Sequence, residues 1–214
     1  NKKNYYPAPK NVSDLFKKKK KIEIDEQKRK EAFVKGGEWT TFLACTRQSI
    51  IIIGEWIFVH GGLTEIFLNM FPNQAELENL NDCIKRWLLG LSCDEKYIDF
   101  VTTDAQNSPF WSRILGTVQK HGSSRNLEKE QKVCHKILDK AVQFYKVKGI
   151  VVGHTPQYKY NVQQGISEIC DQKIWRTDTG SSTAFKSFEK KFPGQTPQVL
   201  VIQKDKTTIL PSEI

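Results

Sequence analysis

Short unbroken apolar runs alternate with longer stretches in which apolar residues recur every three or four positions. Ser49–Ile53, Trp56–Val59 and Gly149–Val152 are of the first kind, four or five residues rich in β-branched side chains. They predict strands, the last two buried on both faces. Gly54-Glu55 joins the first pair as an antiparallel hairpin. Leu77, Leu80, Ile84, Trp87 and Leu88 fall at helical spacing after Pro72, with Asn73 as N-cap and Glu76 three residues on, so an amphipathic helix is predicted to end near Gly90. Val133, Ile137, Ala141 and Phe144 mark one face of a second helix over Leu127–Lys146. Shorter helices are read at Ile22–Phe33, ending at Gly36-Gly37, and around Tyr97–Val101, and Trp39–Cys45 as the end of a helix packed on the sheet. Ile166–Ile169 and Lys173–Arg176 flank a Cys170-Asp171-Gln172 turn, and Gln198–Gln203 and Thr207–Leu210 flank a Lys-Asp-Lys turn, giving two more hairpins. Helices meeting strands, with hairpins gathered toward the end, argue for a layered α/β fold.

Two strands end alike. Trp56-Ile57-Phe58-Val59 runs into His60-Gly61-Gly62, and Gly149-Ile150-Val151-Val152 into Gly153-His154-Thr155-Pro156. The carboxyl ends of strands are where α/β sheets place their ligand crevice. Gly61-Gly62 removes two β-carbons beside the imidazole, which lets backbone or ligand come close. Taken alone, a strand-end histidine is more often a hydrogen-bonded core residue than a ligand. Two in matching contexts can converge on one metal ion, and His60 and His154 are therefore the candidate metal ligands. His121 and His135 sit in polar surroundings and read as solvated.

Five segments in order, GGEWTTFLA, FVHGGL, SPFWSR, VVGHTPQ and WRTDTGSS, resemble the calcineurin-like metallophosphoesterases, and within them the Shewanella-like protein phosphatases. The resemblance covers roughly Ala32 to Phe185. It implies a β-sandwich flanked by helices, present here as its C-terminal half, and a phosphomonoesterase using a pair of divalent cations, Mn, Fe or Zn. His60 and His154 match two histidine ligands of one metal. Arg113 in SPFWSR matches a phosphate clamp, a role suited to its planar fork. Asp178 in WRTDTGSS is a lesser site candidate, equally readable as a turn former. Asp104 and Asn107 read as loop.

The family's earlier motifs, Gly-Asp-x-His-Gly, Gly-Asp-x-x-Asp-Arg-Gly and Gly-Asn-His-Glu, do not occur in residues 1–55. Two imidazoles cannot hold a dinuclear centre, so the metal site is expected to be incomplete or empty in this chain alone. The expectation is that the chain is the later part of a longer protein, or a phosphatase-like scaffold subunit whose sheet a protein partner or the N-terminal half covers. If active, it would take a phosphorylated protein or a small phosphate ester.

Charge and cysteine usage narrow the classes further. The net charge of +9 is concentrated in residues 1–35, with 12 Lys/Arg against 5 Asp/Glu, while the rest is nearly neutral. Residues 1–31 are therefore read as a basic, irregular leading segment, broken by Pro7 and Pro9 and packing at the surface, and 32–214 as the phosphoesterase part. The lysine run lacks interleaved aromatics, which weighs against nucleic acid as the partner. No apolar run is long enough to span a bilayer. Five widely spaced cysteines without C-x-x-C favour reduced thiols and a cytoplasmic setting.

Overall fold

The computed structural model describes residues 26–119, 124–157, 165–182, 197–204 and 206–210. The expectations for residues 1–25, and for His121, lie outside them. The chain divides into two compact units, Asn1–Ser49 with Glu78–Asp99, and Ile50–Leu77 with Phe100–Ile214.

The second unit is built on a five-stranded sheet. Its strands are β1 (Ile50–Ile53), β2 (Trp56–Val59), β3 (Gly149–Val152), β4 (Ser167–Ile169) and β5 (Ile174–Arg176). Their spatial order is β1-β2-β3-β5-β4. β2, β3 and β5 run parallel at the centre, and β1 and β4 are antiparallel edges. The parallel strands explain the unbroken apolar runs, since a central strand must be apolar on both faces. Register decides which side chains share a face. Val59 is level with Val152 and Val152 with Arg176, so Ile57, Val59, Ile150, Val152 and Ile174 line one face, all buried. Val151 and Trp175 point the other way and, with Ile166, pack against Trp56, Phe58 and the hairpin residues Leu200, Ile202 and Ile209. That hairpin is β6 (Val199–Gln203) with β7 (Lys206–Leu210), a separate two-stranded sheet. The unit is thus a mixed α/β arrangement with a central sheet and flanking helices.

Helices of this unit start and stop for local reasons. Helix Glu65–Met70, which hydrophobic spacing did not reveal, begins because Thr64 Oγ1 accepts from Phe67 N at 3.1 Å. It brings Phe67 and Phe71 against Phe100 in a buried aromatic cluster. The predicted helix over Leu127–Lys146 runs from Ser124 to Tyr145 with one π turn at Cys134–Leu138. Lys146 ends it in the left-handed conformation, φ 56°. Tyr145 Oη donates to the Phe71 carbonyl at 2.5 Å. Glu65 meets Lys136 at 2.9 Å and Lys140 at 3.0 Å, and hydrogen bonds from these two ammonium groups hold its carboxyl below the usual carboxylate range.

In the first unit, helices Glu26–Ala32 and Glu38–Thr46 are joined through Gly36-Gly37. Helix Gln74–Leu88 begins in the second unit, where Asn73 Oδ1 caps Glu76 N at 3.0 Å as its sequence predicts, and continues into the first. There Gly36 N donates to the Leu88 carbonyl at 2.8 Å, and Asn81 Oδ1 accepts from Ser49 N at 3.1 Å. Helix Glu95–Thr103 extends the short one read around Tyr97–Val101.

The reading of all five cysteines as reduced thiols is corrected by the structure. Cys83 pairs with Cys93 and Cys134 with Cys170, leaving Cys45 free. Spacing could not show this, because the partners of the second pair are brought together by the packing of a helix on a strand turn. Among the described residues no helix is long and apolar enough to cross a membrane.

Candidate active site

The site lies at the carboxyl ends of β2 and β3. Because Val59 and Val152 are level, the residues that follow are delivered side by side. Gly153 N donates to the His60 carbonyl at 2.9 Å, extending the pairing one step past the strands. His154 then turns out of line, with φ +62°. This left-handed conformation is costly for a residue with a β-carbon and clusters at functional sites. The outcome is that His60 Nε2 and His154 Nδ1 lie 3.1 Å apart, with ring centroids separated by 4.8 Å. His60 is exposed and His154 half-buried.

Two further segments close on the pair. The 108–113 loop is strapped to the His-Gly-Gly turn by the Pro109 carbonyl, which accepts from Gly61 N at 2.7 Å and Gly62 N at 3.3 Å. A β-carbon on Gly61 would stand 2.9 Å from the backbone of Pro109, Phe110 and Trp111, so the approach requires glycine there. Ser108 shapes the loop, its hydroxyl donating to the Val101 carbonyl at 2.7 Å and its carbonyl accepting from Trp111 N and Ser112 N. Trp111 rests its ring 5.0 Å from that of His154 while staying 57% exposed. Arg113, also exposed, donates from Nη1 to the His154 carbonyl at 3.1 Å. The second segment is the Asp178 loop. Asp178 Oδ1 accepts from Gly180 N at 2.9 Å and its carbonyl from Gln157 N at 2.9 Å, which is turn-forming work.

The structure therefore brings His60, His154 and Arg113 together. Asp178 stands near enough to act electrostatically on His154 while its side chain serves the turn. Asp104 holds Asn107 through Oδ1 and Oδ2 and is loop. The His154 imidazole is held below its ordinary pKa, first by burial and then by the Arg113 and His60 charges, with Asp178 and the Trp111 backbone pulling the other way. The neutral ring, with a lone pair for a ligand, is the favoured form.

As a cation site the pair passes a distance test. Two nitrogens each about 2.0–2.1 Å from one ion can be at most about 4.2 Å apart, and 3.1 Å is inside that limit. His154 Nε2 is buried without a hydrogen-bond partner. Among the described residues, however, no group of three His, Cys, Asp or Glu side chains is arranged to hold a metal. The residues fit part of a centre.

Two buried polar residues escaped sequence reasoning. Gln157 is fully buried and Arg176 is 1% exposed. Arg176 Nη1 donates to the Val118 carbonyl. Burial pushes its pKa down to about 10 against the opposing charge of Glu130, so it stays cationic near neutral pH. An arginine at the end of a strand-like run, beside Trp175, was the available signal.

No protein-family model matches the chain. It is 34% identical over 191 aligned positions to the uncharacterized protein R398 of Acanthamoeba polyphaga mimivirus, covering 83% of this chain and 72% of that protein. The chain belongs to the family of R398. A more distant relative of this R398-family chain is Shewanella-like protein phosphatase 2 of Arabidopsis thaliana, 25% identical over 158 residues. That match covers 74% of the chain but only 33% of the plant protein. A solved structure of cold-active protein tyrosine phosphatase shares the fold at a TM-score of 0.50 and 17% identity, over 80% of this chain and 41% of that one. The corresponding figures for the enzyme of a psychrophilic Shewanella species are 0.48 and 17%. The chain spans about a third of the plant phosphatase and two fifths of the solved chains.

Proposed function

We propose that the chain is the later part of the catalytic domain of a metal-dependent phosphoesterase of the calcineurin-like type, allied to the Shewanella-like protein phosphatases. The observation that carries this reading is the 3.1 Å approach of His60 Nε2 to His154 Nδ1 at the ends of neighbouring parallel strands. The phosphatase names of the plant relative and the solved structure support it. On this reading the β6–β7 hairpin belongs to the second sheet of a sandwich, and the remaining metal ligands lie on segments outside this chain.

His60 and His154 would hold one divalent cation, Mn, Fe or Zn, which when bound polarises phosphoryl oxygens and lowers the pKa of its water. Arg113 offers a planar fork to two phosphate oxygens. Its hold on the His154 carbonyl keeps that fork beside the imidazole pair. Trp111 shields one side of His154 from water. The substrate is a phosphomonoester, a phosphorylated protein or a small phosphate ester.

One observation favours a second reading. With no third ligand among the described residues, the protein would be a phosphatase-like scaffold that binds partners without turnover. The deciding experiment uses the full-length protein. Metal content and hydrolysis of an aryl phosphate with added Mn²⁺ are measured for the wild type, His60→Ala and His154→Ala. Metal-dependent turnover lost in both variants supports the enzyme. A folded wild type that stays inactive with every divalent metal leaves the scaffold.

A further inference from the structure

The segments that present Arg113 and His154 carry short-range ties of their own, from Thr117 N and Oγ1 to the Arg113 carbonyl and from Thr155 N to the Gly153 carbonyl. Helix Ile114–Thr117 is four residues long and its N-cap, Arg113, makes no side-chain cap. His154 occupies a left-handed conformation. Beneath the surface Gly116 lies close against the Thr155 side chain, and one buried side chain bonds to the backbone of both. Gln157 Nε2 donates to the Gly116 carbonyl at 3.1 Å and the Thr155 carbonyl at 2.8 Å, and its Oε1 accepts from Ser167 Oγ at 2.9 Å. Both amide N–H groups and one oxygen lone pair are used, so the buried amide is well satisfied. Thr155 adjoins His154, and Gly116 lies three residues beyond Arg113. Together with the Arg113–His154 bond at the surface, the amide closes a ring of contacts around the candidate clamp. The surface link is exposed and open to competition from water, whereas the buried link is not.

We propose that Gln157 is a positioning residue that acts through the Gly116 carbonyl to hold Arg113 beside His154, and so sets the affinity of the site for phosphate. This rests on the phosphoesterase reading, in which Arg113 contacts the phosphate. Ser167 serves a different end. Its hydroxyl satisfies the amide oxygen, whereas the two carbonyl acceptors by themselves fix which way the amide faces.

The test is phosphate binding to the full-length, Mn²⁺-loaded protein, measured by calorimetry with inorganic phosphate. Gln157→Leu and Gln157→Glu, neither able to donate to both carbonyls, should each weaken phosphate binding roughly tenfold, equal to about 1.4 kcal/mol, with bound metal unchanged. Ser167→Ala should lower the melting temperature and leave phosphate affinity as it was. In an Arg113→Ala background, Gln157→Glu should have no further effect on phosphate, because the group it positions is gone. Unchanged affinity in both Gln157 variants, or a full additional loss in the Arg113→Ala background, overturns the proposal while leaving the phosphoesterase reading intact. A metal-loaded wild type that binds no phosphate overturns that reading and this inference with it.

Discussion

His60 Nε2 and His154 Nδ1 stand 3.1 Å apart across 94 positions of chain. Strand register produces the meeting, since Val59 and Val152 are paired and each strand delivers its histidine at or just past the same level. The arrangement carries a conformational cost at one partner only. His154 has φ +62°, which disfavours any residue with a β-carbon by about 1–2 kcal/mol and glycine hardly at all. In metal-free protein, His154→Gly should therefore be more stable than His154→Ala by about 1 kcal/mol in urea unfolding. Equal stabilities would mean the left-handed turn is not retained in solution.

Gly61 tests the strap that carries Trp111 and Arg113. A β-carbon there meets only backbone, at 2.9 Å from three atoms, and backbone cannot rotate away as a side-chain tip can. Gly61→Ala should cost about 2–3 kcal/mol and release the loop, seen as a change in tryptophan fluorescence. Gly54→Ala is the comparison. Gly54 has φ +60° but open space, so only the conformational cost of about 1 kcal/mol applies.

Much of this was legible beforehand because the physics was local. The strand at Gly149–Val152 is buried on both faces, and that at Trp56–Val59 on one, with Trp56 and Phe58 half-buried on the other, and their apolar composition says so. Asn73 announces a cap, and the matched strand ends pointed to His60 and His154. Other features depend on contacts between distant segments, which no local pattern encodes. The cap at Thr64 starts a helix too short to show a period. Gln157 reads as an ordinary polar residue until its amide is seen between Gly116 and Thr155. The cysteine pairs follow from packing.

The Cys134–Cys170 bond joins residues 36 apart and Cys83–Cys93 residues 10 apart. In the chain-entropy description the longer loop contributes about 4 kcal/mol and the shorter about 3 kcal/mol. Replacing Cys134 and Cys170 together by serine should accordingly destabilise the oxidised protein more than the Cys83/Cys93 double replacement. Peptide mapping without reductant should recover the two linked pairs and alkylate only Cys45. Alkylation of all five in protein purified without reductant would restore the thiol reading.

Tyr145 gives a pH signature independent of the candidate site. Its ring is 3% exposed and its hydroxyl donates to the carbonyl of Phe71, itself fully buried. Removing the hydroxyl takes away that hydrogen bond, so Tyr145→Phe should lose about 0.5–1.5 kcal/mol at neutral pH. Burial also pushes the phenol well above its ordinary value, which is about 10 in the unfolded chain. Between that value and the higher folded one, the unfolded chain gives up the proton while the folded protein keeps it. The unfolded state then binds fewer protons, and stability falls as pH rises, by about 1.4 kcal/mol per pH unit. Phenylalanine has no proton to lose, so Tyr145→Phe lacks this contribution, while the lysines titrating nearby in pH affect both proteins alike. The stability gap between wild type and variant, measured by urea unfolding from pH 8 to 11, should stay constant up to about pH 9.5 and narrow above it. A gap that stays constant across the range would show that the phenol titrates normally, and hence that Tyr145 is not closed off from water in solution.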